Sequence, residues 1–475
     1  MRIRIAALLL VVPSLVASPR PAAADTPRPN IVVIMSDDQR WDTVNPTYMP
    51  MLSKLVASRG ITYPNAFVPD PLCCPSRTST LTGDYSHTTG VFGNSRQFGG
   101  FTAFTPAPEG ASTGPVNDST TIATDFHDAG YRTGYVGKYL NGYPANHFAY
   151  VPPGWDSWFA VHTGAYYDYH AAIDGRESPI YGGAPSDYAT RVLASRAVHF
   201  ITAAKAQPTP FFLYLATTAP HGPATPDPRD ENRFDVGSYE QPPSWGQVEP
   251  SDPQYLQNVP WDALRAENIN TFHADQLDSI YGVDRAIGRV WRALPGNTVI
   301  LFMSDNGMLW GEHRWEGKQV PYNESLRVPM ILAGKYLPTP FPPSTDPRVV
   351  LNVDVLPTLE GLAGITSSHP VEGMDMLGPT TRSEFVTEHW ENGVDIPTYC
   401  GIRSTDWMYV RYNSTEEPLH PEGLYDETAD PYELNNLAVT APDDPSVASE
   451  LEQMQGDAAT LCTSGSVYPP DWPFP

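Results

Sequence analysis

The sequence predicts an α/β protein: a large, mainly parallel sheet flanked by helices on both faces, followed by a small C-terminal antiparallel α+β subdomain. Three observations predict it. β-Branched apolar runs alternate with segments carrying helix start and stop signals as far as residue 332. Polar residues gather just after several of those runs, and beyond about Thr380 the pattern changes to short alternating segments.

The first run, residues 30–35, is stopped by Ser36-Asp37-Asp38, which predicts a buried strand ending in two carboxylates. A helix is expected over 51–58, with Pro50 at its start and Gly60 past its end. Further along come a helix over 121–129 closed by Gly130, a strand at 135–136, a helix over 187–201 and a strand over 211–216. A helix over 275–294 precedes a strand over 299–303 that runs into Ser304-Asp305-Asn306-Gly307, and a strand follows over 328–332. Residues 226–261 are rich in proline, acid and aromatics without periodicity, and are expected to form an ordered loop or lid. The late segments include a strand over 407–412 and a helix near 447–459. In open parallel sheets the reactive crevice lies beyond the carboxyl ends of the strands. Asp37, Asp38, Lys138, His221, Asp305 and Asn306 each follow a candidate strand and could therefore converge on one site.

Composition narrows the function. The chain of 475 residues is 41% hydrophobic and 17% charged, enough for a large core, and it has no fixed-period repeat or heptad pattern. Its 54 acidic residues against 29 basic give a formal charge of −25, a field that repels nucleic acid. Any polyanionic partner would need a local basic patch to approach. Arg2 and Arg4, the apolar run 5–16 and Ala22-Ala23-Ala24 read as a signal peptide over 1–24, implying a secreted, periplasmic or extracellular protein. That run is shorter than the roughly 20 residues a membrane span needs, so no span is expected. The mature chain divides into a main domain, 25–379, and a C-terminal subdomain, 380–475. Of the four cysteines, Cys400 and Cys462 could pair, whereas the adjacent Cys73 and Cys74 are badly placed to bridge each other.

The segment Leu72-Cys73-Cys74-Pro75-Ser76-Arg77, followed by Leu81-Thr82-Gly83, resembles the signature of the type I sulfatases, formylglycine-dependent enzymes of the alkaline phosphatase-like superfamily. The resemblance implies that Cys73 is oxidised to formylglycine by a formylglycine-generating enzyme. A hydrated aldehyde suits the chemistry, because sulfate monoesters are shielded by their own negative oxygens and require a strong nucleophile together with charge neutralisation. Pro75 and Gly83 lie where a helix would begin and stop, which puts residue 73 at the positive end of a helix dipole, with Arg77 one turn in.

Oxygen ligands at two strand ends suit calcium (Ca2+) or magnesium (Mg2+) rather than zinc. The resemblance implies that Asp37, Asp38, Asp305 and Asn306 hold the ion with residue 73, and that calcium is the usual occupant. It also implies that Lys138 and Lys318 contact sulfate and that His221 protonates the leaving alcohol. In many members a histidine stands two places after the first lysine; here that place is Leu140, so no base for sulfate elimination is assigned. Lys138-Tyr139-Leu140-Asn141 and Tyr166-Tyr167-Asp168-Tyr169 resemble the branch of N-acetylglucosamine-6-sulfatases and heparan 6-O-endosulfatases, which implies a sulfated sugar such as N-acetylglucosamine 6-sulfate as substrate. Three other readings stay open: an arylsulfatase of broad specificity, a phosphonate or phosphate monoester hydrolase, and an unconverted, inactive sugar-binding homologue. His87 and His313 lie near the motifs and are candidates either for the pocket or for structural roles.

Overall fold

An apolar run with no polar alternation must be covered on both faces, and the strand Asn30–Ser36 sits at the middle of a ten-stranded sheet. The computed structural model describes residues 28–474 except 236, 238, 336–343, 392–394, 441–442, 464 and 466, so the expected signal peptide lies outside the described residues. In spatial order the sheet runs Ser344–Thr345, Gly60–Thr62, Met330–Lys335, Thr298–Ser304, Asn30–Ser36, Phe211–Ala216, Arg132–Lys138, Ser157–Val161, Ala171–Ile173 and Arg176–Glu177. The five strands from Thr298–Ser304 to Ser157–Val161 are mutually parallel, and antiparallel strands flank them on both sides.

Successive side chains of Asn30–Ser36 feed two cores. Ile31, Val33 and Met35 pack with Cys74, Leu81, Phe126, Leu356 and Leu359 on one face. Val32 and Ile34 pack with Leu193, Ile201, Leu277, Ile280 and Val283 on the other. The helices Cys73–Thr82 and Val355–Ala363 therefore cover one side, and Ala189–Ala204 and Ala263–Ala293 cover the other.

The register prepares the site. Ser36 pairs with Ser304, and both Met35 and Gly137 are level with Ala216, so Asp37, Asp305 and Lys138 leave the sheet at about one height. The strand expected at 135–136 extends over Arg132–Lys138 and includes Gly134 and Gly137, which interrupt its apolar pattern. Gly137 is required there: at φ +131° a Cβ would stand 1.7 Å from the Ala216 carbonyl oxygen.

Two further elements differ from expectation. The helix expected over 275–294 begins at Ala263, because its first turns bury only Ile269 and so carry no visible apolar stripe. Its start was nevertheless signalled by Asp262, whose side chain accepts the Arg265 N–H and caps the helix. The strand expected over 328–332 is Met330–Lys335 and runs antiparallel to Thr298–Ser304.

Among its described residues the segment 226–261 contains one helical turn, Gln254–Gln257, and it is stitched to the chain around Trp310. Trp245 Nε1 donates to the Trp310 carbonyl at 2.9 Å, and the Gly246 N–H donates to the Gly311 carbonyl at 2.8 Å. Among the described residues no helix is long and apolar enough to cross a membrane.

The C-terminal antiparallel sheet has four strands, Glu384–His389, Tyr399–Ser404, Trp407–Tyr412 and Glu422–Asp426, with the helix Pro445–Leu461 packed on it through Met454 and Ala458. Cys400 and Cys462 form a disulfide that ties the second of these strands to the end of that helix. The bond spans 62 positions of sequence, so loop entropy makes its removal cost about 4 kcal/mol. Replacing both cysteines by serine should lower the denaturant midpoint of this subdomain while sparing turnover; an unchanged midpoint would show that the helix docks without the bond.

Candidate active site

Residue 73 is the first residue of the helix Cys73–Thr82, which follows extended Leu72 and ends at Gly83 in the left-handed region, φ 79°. Pro75 lies in the first turn, where its missing N–H costs nothing, and all ten residues of the helix are buried. The helix thus delivers the positive end of its dipole and the Cys73 Sγ into the crevice above the strand ends. Cys73 carries its thiol in this structure, and Sγ marks the position from which an oxidised side chain would act.

Three carboxylates and three cations meet there. Lys138 Nζ lies 2.6 Å from Asp37 Oδ2, and both side chains are fully buried. Arg77 Nε donates to Asp305 Oδ2 at 2.8 Å, and its Nη2 lies 3.5 Å from Asp37 Oδ2. Lys318 Nζ contacts Asp38 Oδ1 and lies 2.9 Å from Cys73 Sγ. Asp38 is held by its own N–H donating to Asp305 Oδ1 at 3.1 Å and by Asn306 Nδ2 donating to its Oδ1 at 2.7 Å. Its φ of 61° turns the chain sharply at the strand end.

This compensation sets the ionisation. Burial pushes the Asp37 carboxyl up, but Lys138, His221, Arg77 and Lys318 outweigh it and hold the group well below the usual carboxylate range. Burial likewise raises the Cys73 thiol, and Lys138 and Lys318 bring it below its ordinary value. Burial lowers His221, yet Asp38 and Asp37 raise it to about 9, which leaves an imidazolium at neutral pH. Its Nε2 stands 3.7 Å from Asp38 Oδ2, and its Nδ1 lies 2.7 Å from the Gly222 carbonyl. The His221 side chain is 24% exposed, against 12% for Lys318 and 0% for Lys138, so it stands at the mouth of the crevice.

The nine residues expected to form the site, Asp37, Asp38, Cys73, Arg77, Lys138, His221, Asp305, Asn306 and Lys318, come together here. One difference concerns the metal set: ligand atoms of Asp37, Asp38, Cys73 and His221 lie within 4.8 Å of one another, so His221 is closer to the carboxylates than expected. A buried set of three carboxylates and one amide fits a hard divalent cation.

Leu140 is packed in the core beneath the site, 1% exposed. Sequence reasoning gave no role to Tyr135, whose hydroxyl donates to the Lys138 carbonyl, and none specific to Tyr166, whose hydroxyl donates to the His221 carbonyl at 2.6 Å. The run of tyrosines around Tyr166 was the available signal.

His313 is fully buried and stacked on Tyr322, with burial pushing it down to about 4. His87 is also structural. Its Nδ1 lies 2.9 Å from Glu388 in the C-terminal sheet and its Nε2 3.4 Å from Glu372. Burial lowers His87, but the two glutamates raise it from 6.5 to about 10. A raised folded-state value means that the stabilisation is complete below about pH 6.5 and is lost as pH climbs toward 10. Over that window unfolding free energy should fall by up to roughly 1.4 kcal/mol per pH unit, and His87→Gln should remove this component; equal slopes in the two proteins would contradict it.

Comparison with known proteins agrees with this geometry. The sulfatase family model matches residues 29–365, and a model described as N-sulphoglucosamine sulphohydrolase, C-terminal, matches 311–458. The chain belongs to the sulfatase family. It is 30% identical to the extracellular sulfatase SULF-1 homolog of Drosophila melanogaster over 76% of this chain and 32% of that protein. It is 26% identical to the N-acetylglucosamine-6-sulfatase of Capra hircus over 95% of this chain and 88% of that one. The chain spans about a third to a half of the length of the extracellular sulfatase relatives it matches. Its fold is similar to that of a protein solved in complex with its substrate D-glucosamine-2-N,6-O-disulfate, with a TM-score of 0.71, 22% identity and coverage of 92% of this chain and all of that one.

Proposed function

We propose that this chain is an exported sulfuric ester hydrolase that cleaves a sulfate monoester of a sulfated sugar such as N-acetylglucosamine 6-sulfate. The observation that carries the reading is the enclosure of residue 73, at a helix N-terminus, by Lys138, Lys318 and Arg77 with all three buried charges compensated. Such a site suits a small tetrahedral anion and strengthens every charge interaction within it. Family membership and the N-acetylglucosamine-6-sulfatase relatives support the substrate class. The apolar leader after Arg2 and Arg4 supports export.

Conversion of Cys73 to formylglycine would supply a geminal-diol nucleophile, and a calcium ion held by Asp37, Asp38, Asp305 and Asn306, or magnesium in its place, would add charge neutralisation. The remaining work falls to the chain's own side chains. Lys138 and Lys318 neutralise the sulfate oxygens as point charges. Arg77 fixes Asp37 and Asp305 and offsets their negative charge. His221, standing at the open mouth beside Asp38, is placed to donate a proton to the alcohol that must leave toward solvent. The first 379 residues would then act as the catalytic unit after removal of the leader, and residues 380–475 as the subdomain that buttresses it.

His221→Ala should lower kcat for glucosamine 6-sulfate about 10²- to 10⁴-fold, the range for loss of a general acid. A phenol that leaves without protonation should lose far less. The sulfate ester of such a phenol should turn over faster than its phosphate ester in the unaltered enzyme. Faster phosphate cleavage would replace the reading by a phosphate or phosphonate monoester hydrolase on the same fold.

A further inference from the structure

A chain with a formal charge of −25 has no evident reason to gather arginines, yet five of them line one cleft. The cleft has a volume of about 360 Å³ and is walled by Arg191, Arg229, Arg285, Arg289 and Arg292, with Met51 and Gly288 completing it. Arg285, Arg289 and Arg292 project from one side of the helix Ala263–Ala293 at spacings of four and three residues, which is one helical face. Arg191 comes from the first turn of Ala189–Ala204, and Arg229 from the loop that follows His221.

The cluster is built from inside. Buried Asp227 is gripped by Arg191, by Arg229 at 2.8 Å and by Arg285 at 3.2 Å, and Arg285 also contacts buried Asp230. Nearby Asp284 is committed elsewhere, accepting the N–H groups of Met51 and Leu52 at 2.9 and 2.7 Å. Two buried carboxylates thus orient three guanidinium groups. The outer pair is left over: Arg289 donates to the Arg191 carbonyl at 3.3 Å and to Ser195 Oγ at 2.9 Å. Among the described residues neither Arg289 nor Arg292 has a carboxylate partner, and both are exposed. Burial first, and then the neighbouring charges of Arg229 and Arg292, hold the Arg289 guanidinium below its ordinary pKa.

We infer that this cleft is a second anion-binding site, which holds a sulfate group of a sulfated sugar chain while another ester of the same chain lies at residue 73. The inference rests on the sulfated-sugar reading above. Guanidinium forks match the paired oxygens of sulfate, and a cleft of this volume takes more than a lone anion. It also supplies the local basic patch that a polyanion needs against the overall negative field. Asp227, to which three of the arginines are anchored, is six residues beyond His221 and so within about 20 Å of it, and Arg289 stands about 20 Å of helix rise beyond Gln276, which donates to the Pro220 carbonyl beside His221. A substrate a few sugars long can engage both, and the second contact raises the effective concentration of the first.

The probe is a heparin-derived octasaccharide titrated into the full chain with Cys73→Ala, with and without Arg289→Ala and Arg292→Ala, each folded as judged by its thermal midpoint. The double substitution should weaken binding at least about tenfold and flatten its dependence on salt, while leaving turnover of a small aryl sulfate by the Cys73 enzyme unchanged. Arg292→Glu alone, at an exposed position, should act in the same direction. Equal affinity with and without the arginines would overturn the inference. So would displacement of the octasaccharide by inorganic sulfate at matching concentration, which would reduce the cleft to a site for a free anion. Loss of aryl sulfate turnover in the unaltered enzyme would instead strike the catalytic reading, since the titration does not depend on it.

Discussion

Three carboxylates and three cationic side chains share a water-poor volume at the carboxyl ends of the central strands, and the rest of the site depends on their mutual compensation. Each charge alone would cost several kcal/mol to bury, and a pair with one member removed typically costs about 3–5 kcal/mol. Asp37 illustrates the constraint. With Lys138 at 2.6 Å and Arg77 at 3.5 Å it stays ionised in spite of complete burial, and Lys138 stays an ammonium for the same reason. The arrangement is fixed before any substrate arrives, so positive charge can meet a sulfate without reorganising the protein.

The fold supplies the precision. Parallel pairing of Asn30–Ser36 with both Phe211–Ala216 and Thr298–Ser304 brings chain segments more than 260 residues apart to one level. Asp38, whose N–H reaches Asp305, and Asn306, whose amide reaches Asp38, then lock the two strand ends together. Gly137 lets Arg132–Lys138 approach Ala216 closely enough to deliver Lys138 beneath residue 73. His87 joins the turn after the Cys73–Thr82 helix to Glu388 of the C-terminal sheet, so the late subdomain braces the region that carries residue 73.

Much of this was legible in the sequence, for different reasons. Asp37, Asp38, Asp305 and Asn306 declared themselves because each pair ends an apolar run, a local pattern that survives without tertiary information. Lys138, His221 and Lys318 stood out chiefly through the family resemblance; Lys318 is on a turn beside Gly317 and no periodicity marks it. The proximity of His221 to both aspartates, and the hydroxyls of Tyr135 and Tyr166 on the carbonyls of Lys138 and His221, were not legible. They arise from loop courses and aromatic packing that a linear pattern does not encode. The early turns of Ala263–Ala293 escaped notice because a solvated helix face lacks an apolar stripe, and only the cap at Asp262 announced them.

A negative overall field is compatible with local positive charge because, of the 29 basic residues, three stand at the strand ends, paired with carboxylates, and five arginines line one cleft of the helical layer. The central claim is that residue 73 is the reacting group within the first of these. It is tested most directly by the mass of the tryptic peptide 60–77 from protein isolated from its own cell, after alkylation of free thiols. The account predicts one alkylated cysteine, Cys74, and an aldehyde at position 73 with the corresponding loss of sulfur. Two alkylated thiols in all of the peptide would contradict it.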